Sequence, residues 1–343
     1  MATEPAAKKA PNRQDFVSGA EVRWCPGCGD YSILAQTQKV MAEIGIARER
    51  HVFVSGIGCS SRFPYYMATY GIHSIHGRAP TLATGLKCAR PDLVVWIVTG
   101  DGDALSIGGN HLIHTMRRNV DVKILLFNHR IYGLTKGQYS PTSEKGKKTK
   151  SSPLGTIDYP FRALSVAIAA EATFVARTVD RYTQHLQDTL RAAYEHRGTA
   201  FVEILQNCPI FNDGAHAYAT ESDMKGENVV LLSEGKPLVY GNEKDKGIRM
   251  AGTVLEKVDL ARDPEARSTL IVHDSARSDP TVAFLLSRLD HPDHPLPIGV
   301  LRRVARPTYD GMLLAQVETA RRGRTPDLAA LLAGTETWTV DGA

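Results

Sequence analysis

Short runs of apolar residues alternate with stretches of helical periodicity between residues 16 and 212. The runs are continuous and rich in Val, Ile and Leu, which is typical of strands buried on both faces of a parallel sheet. The intervening stretches space their apolar residues as amphipathic helices do. Strands are predicted over residues 51–55, 93–99, 122–128 and 200–205, and helices over 31–44, 110–118 and 182–194. The pattern predicts an α/β fold with a mainly parallel sheet covered by helices on both faces.

The two ends of the chain differ from this alternating region. Residues 1–15 combine Ala, Pro, Lys and polar residues without periodicity, and they are predicted to be a disordered lead-in. After residue 212 the composition turns to Asp, Glu, Lys and Gly, so residues 213–343 are predicted to form a C-terminal extension that packs on this chain or on a partner subunit. A polar stretch at 139–157 is expected to be a solvated loop; a mobile lid or a docking surface for an acidic electron carrier is the alternative.

Composition and charge limit the classes of partner. The longest relevant apolar run has six residues, against the roughly 20 of a spanning helix, so no membrane segment is expected. Lys and Arg number 41 against 37 Asp and Glu, and a net charge of +4 is too small to predict nucleic acid as a main partner. Five cysteines and no apolar signal segment disfavour a secreted disulfide framework. The expected location is the cytoplasm, where cysteines indicate metal or redox chemistry.

Four of the five cysteines lie in turns marked by Gly or Pro. Cys25 and Cys28 share a Cys-Pro-Gly-Cys-Gly run, Cys59 follows a Gly-Ile-Gly run, and Cys208 precedes a proline. Backbone in such turns can curl around a metal centre and offer N–H groups to sulfur. Four thiolates suit a structural zinc ion or an iron–sulfur cluster, and the spacing alone leaves both open, with unrelated buried cysteines as a third option. Cys88 has a helix-like context and is interpreted as a spare.

A Gly-Asp-Gly-Asp sequence at residues 100–103 directly follows one predicted strand. Glycines let the backbone approach a phosphate, Asp101 can hold a hard divalent ion, and the helix N-terminus beyond adds positive potential. Asn128 ends the next strand 27 residues after Asp101, which is the length of one strand–helix–strand unit. The two strand ends should therefore lie side by side at the edge where such sheets bind ligands. The pattern predicts a magnesium-bridged thiamine diphosphate, with a plain glycine–aspartate turn as the alternative.

These features in order resemble the β subunits of 2-oxoacid:ferredoxin oxidoreductases, specifically of the 2-oxoglutarate type, over residues 22–214. The resemblance rests on the motifs Trp24-Cys25-Pro26-Gly27-Cys28-Gly29-Asp30, Gly58-Cys59-Ser60-Ser61-Arg62, His76-Gly77-Arg78, Gly100-Asp101-Gly102-Asp103, Tyr132-Gly133-Leu134-Thr135-Lys136-Gly137-Gln138, Ser140-Pro141-Thr142 and Cys208-Pro209-Ile210-Phe211-Asn212-Asp213. It implies a thiamine-diphosphate-binding fold. It also implies one [4Fe–4S] cluster ligated by Cys25, Cys28, Cys59 and Cys208, with Cys88 outside the ligand set.

The resemblance further implies where thiamine diphosphate and magnesium bind. Asp101 is expected to bind magnesium, and the usual second ligand, commonly Asn, stands two residues before Ile131. Here that residue is His129, and imidazole is a poorer partner for a hard cation than an amide oxygen. The second magnesium ligand is then His129, Asn128 or a water molecule. The backbone carbonyl of Ile131 is expected to bind magnesium in all three cases. The residues expected to contact the organic cofactor are Ile57, Gly58, Cys59, Ser60, Arg78, Gly102, Asp103, Gly133 and Leu134.

Substrate choice is expected to depend on cations near the thiazolium end of the cofactor. The resemblance brings Arg62 and Lys136 there as catalytic residues together with Leu134, and Lys136 favours 2-oxoglutarate over pyruvate. The implied reaction is decarboxylation of 2-oxoglutarate with coenzyme A as co-substrate, giving succinyl-CoA and CO2, while the cluster passes electrons singly to ferredoxin.

The chain is not expected to act alone. The carboxylate that activates the aminopyrimidine of the cofactor should come from another chain, which predicts an obligate complex with an α or fused γα subunit, as (αβ)2. Three alternatives remain: a non-redox thiamine-dependent decarboxylase with structural zinc, an enzyme acting on pyruvate, and a zinc module that binds partners or RNA through residues 145–150.

Overall fold

The structure, a computed structural model, describes residues 11–323 and 326–342. Within them the chain forms the strands β1 His51–Ser55, β2 Tyr70–His73, β3 Val94–Gly100, β4 Lys123–Asn128, β5 Phe174–Val179, β6 Ala200–Leu205, β7 Val229–Leu231, β8 Val239–Tyr240, β9 Lys246–Ala251, β10 Val254–Asp259 and β11 Leu296–Arg303. The helices are α1 Asp30–Ile44, α2 Phe63–Tyr66, α3 Ala79–Ala89, α4 Asp101–Leu105, α5 Gly109–Arg118, α6 Ala163–Ala169, α7 Thr183–Glu195, α8 Ala217–Thr220, α9 Lys225–Asn228, α10 Thr281–Arg288, α11 Tyr309–Arg321 and α12 Leu328–Ala333.

An eight-stranded sheet in the order β2-β1-β3-β4-β6-β5-β11-β7 forms the centre of the fold. From β2 to β5 every pair of neighbours is parallel, and β11 joins antiparallel to β5. A second sheet, in the order β10-β9-β8, is antiparallel. The mainly parallel sheet predicted from the sequence is confirmed, and all four predicted strands lie inside it.

The continuous apolar runs reflect a sheet that is buried on both faces. Successive side chains of a strand point to opposite faces, and along β3 Val95 and Ile97 join one apolar core while Trp96 and Val98 join the other. Helices α3, α5, α6 and α10 pack on the first face, and α1 and α7 pack on the second. The strands are thus fixed from both sides, and their carboxyl ends become a rigid platform.

The two ends of the chain contribute more to the fold than their composition indicates. Residues 1–10 of the predicted lead-in lie outside the described residues. Asn12 caps a short 3-10 helix, and Phe16 is fully buried, so ordered structure begins before residue 16. From residues 213–343, predicted as an extension, β7 and β11 enter the main sheet. Among the helices that the structure describes, none is long and apolar enough to cross a membrane.

His51 provides a test of the core through the pH dependence of stability. Its ring is fully buried against Phe16, and neither ring nitrogen has a hydrogen-bond partner within residues 11–323 and 326–342. Burial lowers the pKa of His51 to about 4, whereas an unfolded histidine titrates near pH ~6.5. Between these values the unfolded chain binds more protons, so stability is lost as the pH falls through this window.

Between about pH 6.5 and 4 the titration of His51 should lower the free energy of unfolding by about 3 kcal/mol, which corresponds to the pKa difference between the folded and unfolded chain. We expect His51→Phe to abolish this part of the loss. Urea unfolding of the wild-type chain and the variant at several pH values between 6.5 and 4 measures the slope. Equal slopes for the two proteins would contradict the assignment of this loss to His51.

Candidate active site

The carboxyl ends of β3 and β4 lie side by side and form the predicted diphosphate site. Gly100 pairs with Phe127 in the parallel register, so the Asp101 and Asn128 positions meet at one edge. At Gly102 a Cβ would lie 2.2 Å from the Tyr132 ring, so no side chain fits there. The Tyr132 hydroxyl donates to the Gly102 carbonyl at 2.9 Å. These contacts hold the turn after β3 against the segment after β4.

Asp101 is fully buried and surrounded by donors. Its Oδ2 accepts hydrogen bonds from Ser140 Oγ at 2.5 Å and Thr142 Oγ1 at 2.6 Å, and its Oδ1 lies 2.9 Å from His129 Nδ1. Burial opposes ionisation, but His129 and the two hydroxyls outweigh it, so the pKa of Asp101 lies below its usual value. A charged carboxylate is therefore available at the strand end.

The structure separates the two candidates for the second magnesium ligand. The Asn128 side chain is already engaged, because its Oδ1 accepts from Thr142 at 2.9 Å and its Nδ2 donates to Glu203 at 2.7 Å. His129 instead faces Asp101. Burial lowers the pKa of His129, but the Asp101 carboxylate more than compensates, and the net shift is upward. Ile131, whose carbonyl is the third candidate, is buried just beyond.

The Asp103 side chain binds protein groups, and its expected contact with the cofactor stays a prediction. It accepts hydrogen bonds from Ile57 N at 3.1 Å, Gly77 N at 2.7 Å and Thr99 Oγ1 at 2.6 Å. At Gly56 a Cβ would lie 2.0 Å from Asp103 Oδ2, so only glycine fits. The Asp103 carboxylate therefore positions two predicted cofactor-binding loops around the turn after β3.

Ser60 and Arg78, two residues predicted to contact thiamine diphosphate, have polar groups that are free to bind a ligand. The Ser60 hydroxyl is buried and has no hydrogen-bond partner among the described residues, and it would lie 3.4 Å from a Cβ at Gly100. Among the residues that the structure describes, the Arg78 guanidinium donates hydrogen bonds only to two backbone carbonyls, those of His76 and Ile107, at 3.2 and 3.3 Å. Its charge is therefore not neutralised by these bonds.

The four turn cysteines line a single cavity of about 210 Å³. The cavity is lined by Cys25, Cys28, Cys59 and Cys208 together with Arg23, Trp24, Arg62, His129, Gly133, Leu134, Lys136, Gln206, Pro209 and Phe211. The structure therefore brings the predicted cluster ligands together with the predicted substrate residues Arg62, Leu134 and Lys136. Cys88 lies apart from this cavity, on α3.

The turn at residues 132–134 connects the cysteine cavity to the strand ends. At Gly133 a Cβ would lie 3.5 Å from Cys59 Sγ and 3.7 Å from Cys208 Sγ, while the neighbouring Tyr132 contacts Gly102. Larger side chains at residue 133 would approach both sulfurs. One short turn thus touches both predicted cofactor sites, which makes them neighbours.

The cavity does not favour free thiolates. Burial raises the pKa of Cys28 and raises that of Cys59 to about 12, and the Asp30 carboxylate raises both further. Burial also raises the pKa of Cys208, although the backbone N–H groups that follow it oppose this. Deprotonation therefore needs a compensating positive charge, such as a metal centre provides.

Several residues around the cavity had no role assigned from the sequence. Trp24 Nε1 donates to the Cys59 carbonyl at 2.7 Å, and Gln206 Nε2 donates to Cys28 Sγ at 3.3 Å. Asp30 is fully buried, and burial raises its pKa to about 7. Trp24 and Asp30 belong to the Cys-rich motif and could have been found there. Gln206 comes directly after a buried strand, where polar residues are common, so the sequence gives no sign of its contact with Cys28.

The fold and the strand-end site define a thiamine-diphosphate-binding domain. Residues 56–204 match the family described as "Thiamine pyrophosphate enzyme, C-terminal TPP binding domain". The matched range includes the turn after β3 and the end of β4. The fold class predicted from the sequence is confirmed by this match and by the sheet itself.

Relatives extend the similarity over almost the entire chain. The 2-oxoglutarate oxidoreductase subunit KorB of Mycobacterium tuberculosis is 54% identical, over 98% of this chain and 91% of its own length. The β subunit of 2-oxoacid:ferredoxin oxidoreductase 1 of Aeropyrum pernix is 47% identical over 55% of this chain and 60% of its own. The solved structure of "2-oxoglutarate:ferredoxin oxidoreductase from Magnetococcus marinus with 2-oxoglutarate, coenzyme A and succinyl-CoA bound" is 33% identical, with a TM-score of 0.76, and the match covers 95% of this chain and 96% of that one.

The chain belongs to the family of 2-oxoacid:ferredoxin oxidoreductase β subunits that includes the KorB subunits. The resemblance inferred from its motifs is confirmed, as is the oxidoreductase class.

Proposed function

We propose that the chain is the β subunit of an enzyme that converts 2-oxoglutarate and coenzyme A to succinyl-CoA and CO2 and passes the electrons to ferredoxin. The observation that supports this most is the turn at residues 132–134, which contacts both the strand-end site and the four-cysteine cavity. Two relatives that match nearly the whole chain are named for 2-oxoglutarate. Decarboxylation and electron removal would then take place at adjacent sites on one polypeptide.

Thiamine diphosphate and magnesium would bind at the carboxyl ends of β3 and β4. The ionised Asp101 and the His129 ring beside it would hold the cation with the Ile131 carbonyl, and the unpartnered Ser60 hydroxyl would face the diphosphate. The side chains fit this task, because the Asp101 carboxylate is ionised and can hold a cation, and the orphaned buried hydroxyl of Ser60 is costly unless a ligand completes it. When bound, the cofactor supplies the nucleophilic carbon for decarboxylation of a 2-oxo acid.

A [4Fe–4S] cluster would occupy the cysteine cavity. Cys25, Cys28, Cys59 and Cys208 all line this one cavity, and four thiolates are the ligand set of such a cluster, which would accept one electron at a time. Four thiolates also suit zinc, and iron and sulfide analysis of the purified complex distinguishes the two.

Arg62 and Lys136 would bind the two carboxylates of 2-oxoglutarate. Both line the cavity that the cysteines share with Leu134. Arg62 donates to a backbone carbonyl, that of Arg23, at 3.2 Å, so its charge stays available to an anion. Two cations at one cavity complement a substrate with two negative groups, whereas pyruvate has only one.

Neutralising Lys136 is expected to change substrate preference. Lys136→Gln should lower kcat/KM for 2-oxoglutarate about 10- to 100-fold, because one charge-assisted hydrogen bond is lost, and it should change the value for pyruvate about twofold or less. Steady-state reduction of methyl viologen with each acid measures this. Lys148→Gln, at an exposed position of the 139–157 segment, is the matched control. An equal loss for both acids would contradict the proposed role.

An α or fused γα subunit would complete the enzyme as (αβ)2, and ferredoxin would take its electrons. Exposed apolar side chains next to the site support a covering partner: Ile75 is 70% exposed, Ile107 55% and Leu134 47%. The partner would supply the carboxylate for the aminopyrimidine. Co-purification with the neighbouring α subunit, followed by iron, sulfide and thiamine analysis and a viologen assay with 2-oxoglutarate, tests the proposal. A thiamine-containing complex with zinc and no viologen reduction would overturn it.

A further inference from the structure

Gln206 is fixed against the Cys25–Cys28 turn by its backbone and by packing. It follows β6, is 1% exposed, and its N–H donates to the Asn128 carbonyl at 3.0 Å. A Cβ at Gly29 would lie 2.8 Å from Gln206 Cγ, so the glycine lets the two segments approach closely. Gly29 N also donates to the carbonyl of Asn207, the residue that follows Gln206, at 3.2 Å. The glutamine side chain therefore has little freedom to move away from the cysteines.

The amide of Gln206 donates to a cysteine sulfur. Its Nε2 lies 3.3 Å from Cys28 Sγ, and it also donates to the Asn207 carbonyl. A carbonyl and a thiolate only accept, so the nitrogen end of the amide must face them.

The hydrogen bond from Gln206 to Cys28 Sγ would affect the charge that a cluster can carry at this sulfur. Asp30, two residues after Cys28, is fully buried, so an acidic group rather than a cation lies beside this turn. The Gln206 N–H is a neutral donor that acts in the opposite direction. Hydrogen bonds to the sulfurs of an iron–sulfur centre stabilise its reduced, more negative state and so raise its reduction potential.

We propose that Gln206 is a positioning residue that raises the reduction potential of the cluster through its N–H···S bond to Cys28. This inference rests on the function proposed above, because it requires a cluster on the four cysteines. Gln206 would keep the cluster able to accept electrons from the substrate despite the buried carboxylate nearby.

The test is a redox titration of the anaerobically purified complex, monitored by EPR. Gln206→Met keeps the length of the side chain and removes the donor, and it should weaken the electron affinity of the cluster about tenfold, which is a fall of about 59 mV for one electron. Gln187→Met is the matched control, since its amide also donates a side-chain hydrogen bond, to Gln36, but does not line the cavity. Equal potentials for both variants and the wild type would overturn the inference.

A second measurement covers the case in which Gln206→Met fails to assemble its cluster. Pulsed EPR of the reduced wild-type complex, labelled with ¹⁵N at the glutamine side-chain amides, should detect a nitrogen coupled to the cluster. The absence of this coupling would overturn the inference while leaving the proposed function intact. A wild-type complex without iron would instead overturn the proposed function itself.

Discussion

Replacing Asp101 by asparagine is expected to weaken the binding of thiamine diphosphate with magnesium by at least about 100-fold and to abolish activity. The substitution keeps the size of the side chain but removes the charge that holds the cation, and loss even of outer-shell groups costs about 10- to 100-fold in metal affinity. Asp101 is fully buried and accepts hydrogen bonds from Ser140 and Thr142, so no exposed carboxylate can replace it. Titration of the cofactor in the presence of magnesium measures the loss.

The control for this prediction is Asp188→Asn, which removes a carboxylate from the exposed side of α7. The Asp101 variant should keep its iron, because the cysteine cavity does not include residue 101. Retained iron shows that the chain is folded. Unchanged cofactor affinity in a folded Asp101→Asn variant would show that the diphosphate site lies elsewhere.

Replacing Cys208 by serine is expected to remove the cluster and all viologen reduction while leaving the binding of thiamine diphosphate nearly unchanged. Cys208 is the buried member of the four cysteines, and its sulfur would lie 3.7 Å from a Cβ at Gly133. A serine hydroxyl is a poor ligand for iron because it holds its proton far more strongly than a thiol does. Iron and sulfide analysis with visible absorbance measures the loss.

Cys88→Ser is the matched control for Cys208→Ser. Cys88 lies on α3 and does not line the cavity, so this variant should keep its full iron content and activity. Loss of iron in the Cys88 variant, or retention of all iron in the Cys208 variant, would contradict the proposed ligand set.

The central strands could be predicted from the sequence, but the outer part of the sheet could not. Strands β1, β3 and β4 each contain an uninterrupted apolar run, and Glu203 is the one charged residue of β6, as expected for strands covered on both faces. β5 contains Arg177, which is buried only because Glu203 on β6 accepts from it at 2.7 Å. β11 lies far along the chain and joins antiparallel to β5. Neither a cross-strand ion pair nor a distant pairing leaves a local pattern.

The location of the site could be predicted from its motifs, but several individual roles required side-chain directions. Asn128 and His129 are consecutive, and only the structure shows that His129 lies directly beside Asp101 while Asn128 is linked to it through Thr142. Asp103 belongs to the diphosphate motif, yet its carboxylate binds the loops around it. Gln206 has no motif of its own, and its contact with Cys28 depends on how closely Gly29 allows it to approach.

The central claim is that thiamine diphosphate and a four-cysteine cluster are neighbours joined by the turn at residues 132–134. The most direct test is the visible absorbance of the anaerobic complex with the α subunit, loaded with thiamine diphosphate and mixed with 2-oxoglutarate in the absence of ferredoxin. We expect the cluster absorbance to bleach in the wild type and to remain unchanged in Asp101→Asn. A wild-type complex that contains both iron and thiamine but shows no bleaching with 2-oxoglutarate would contradict the account.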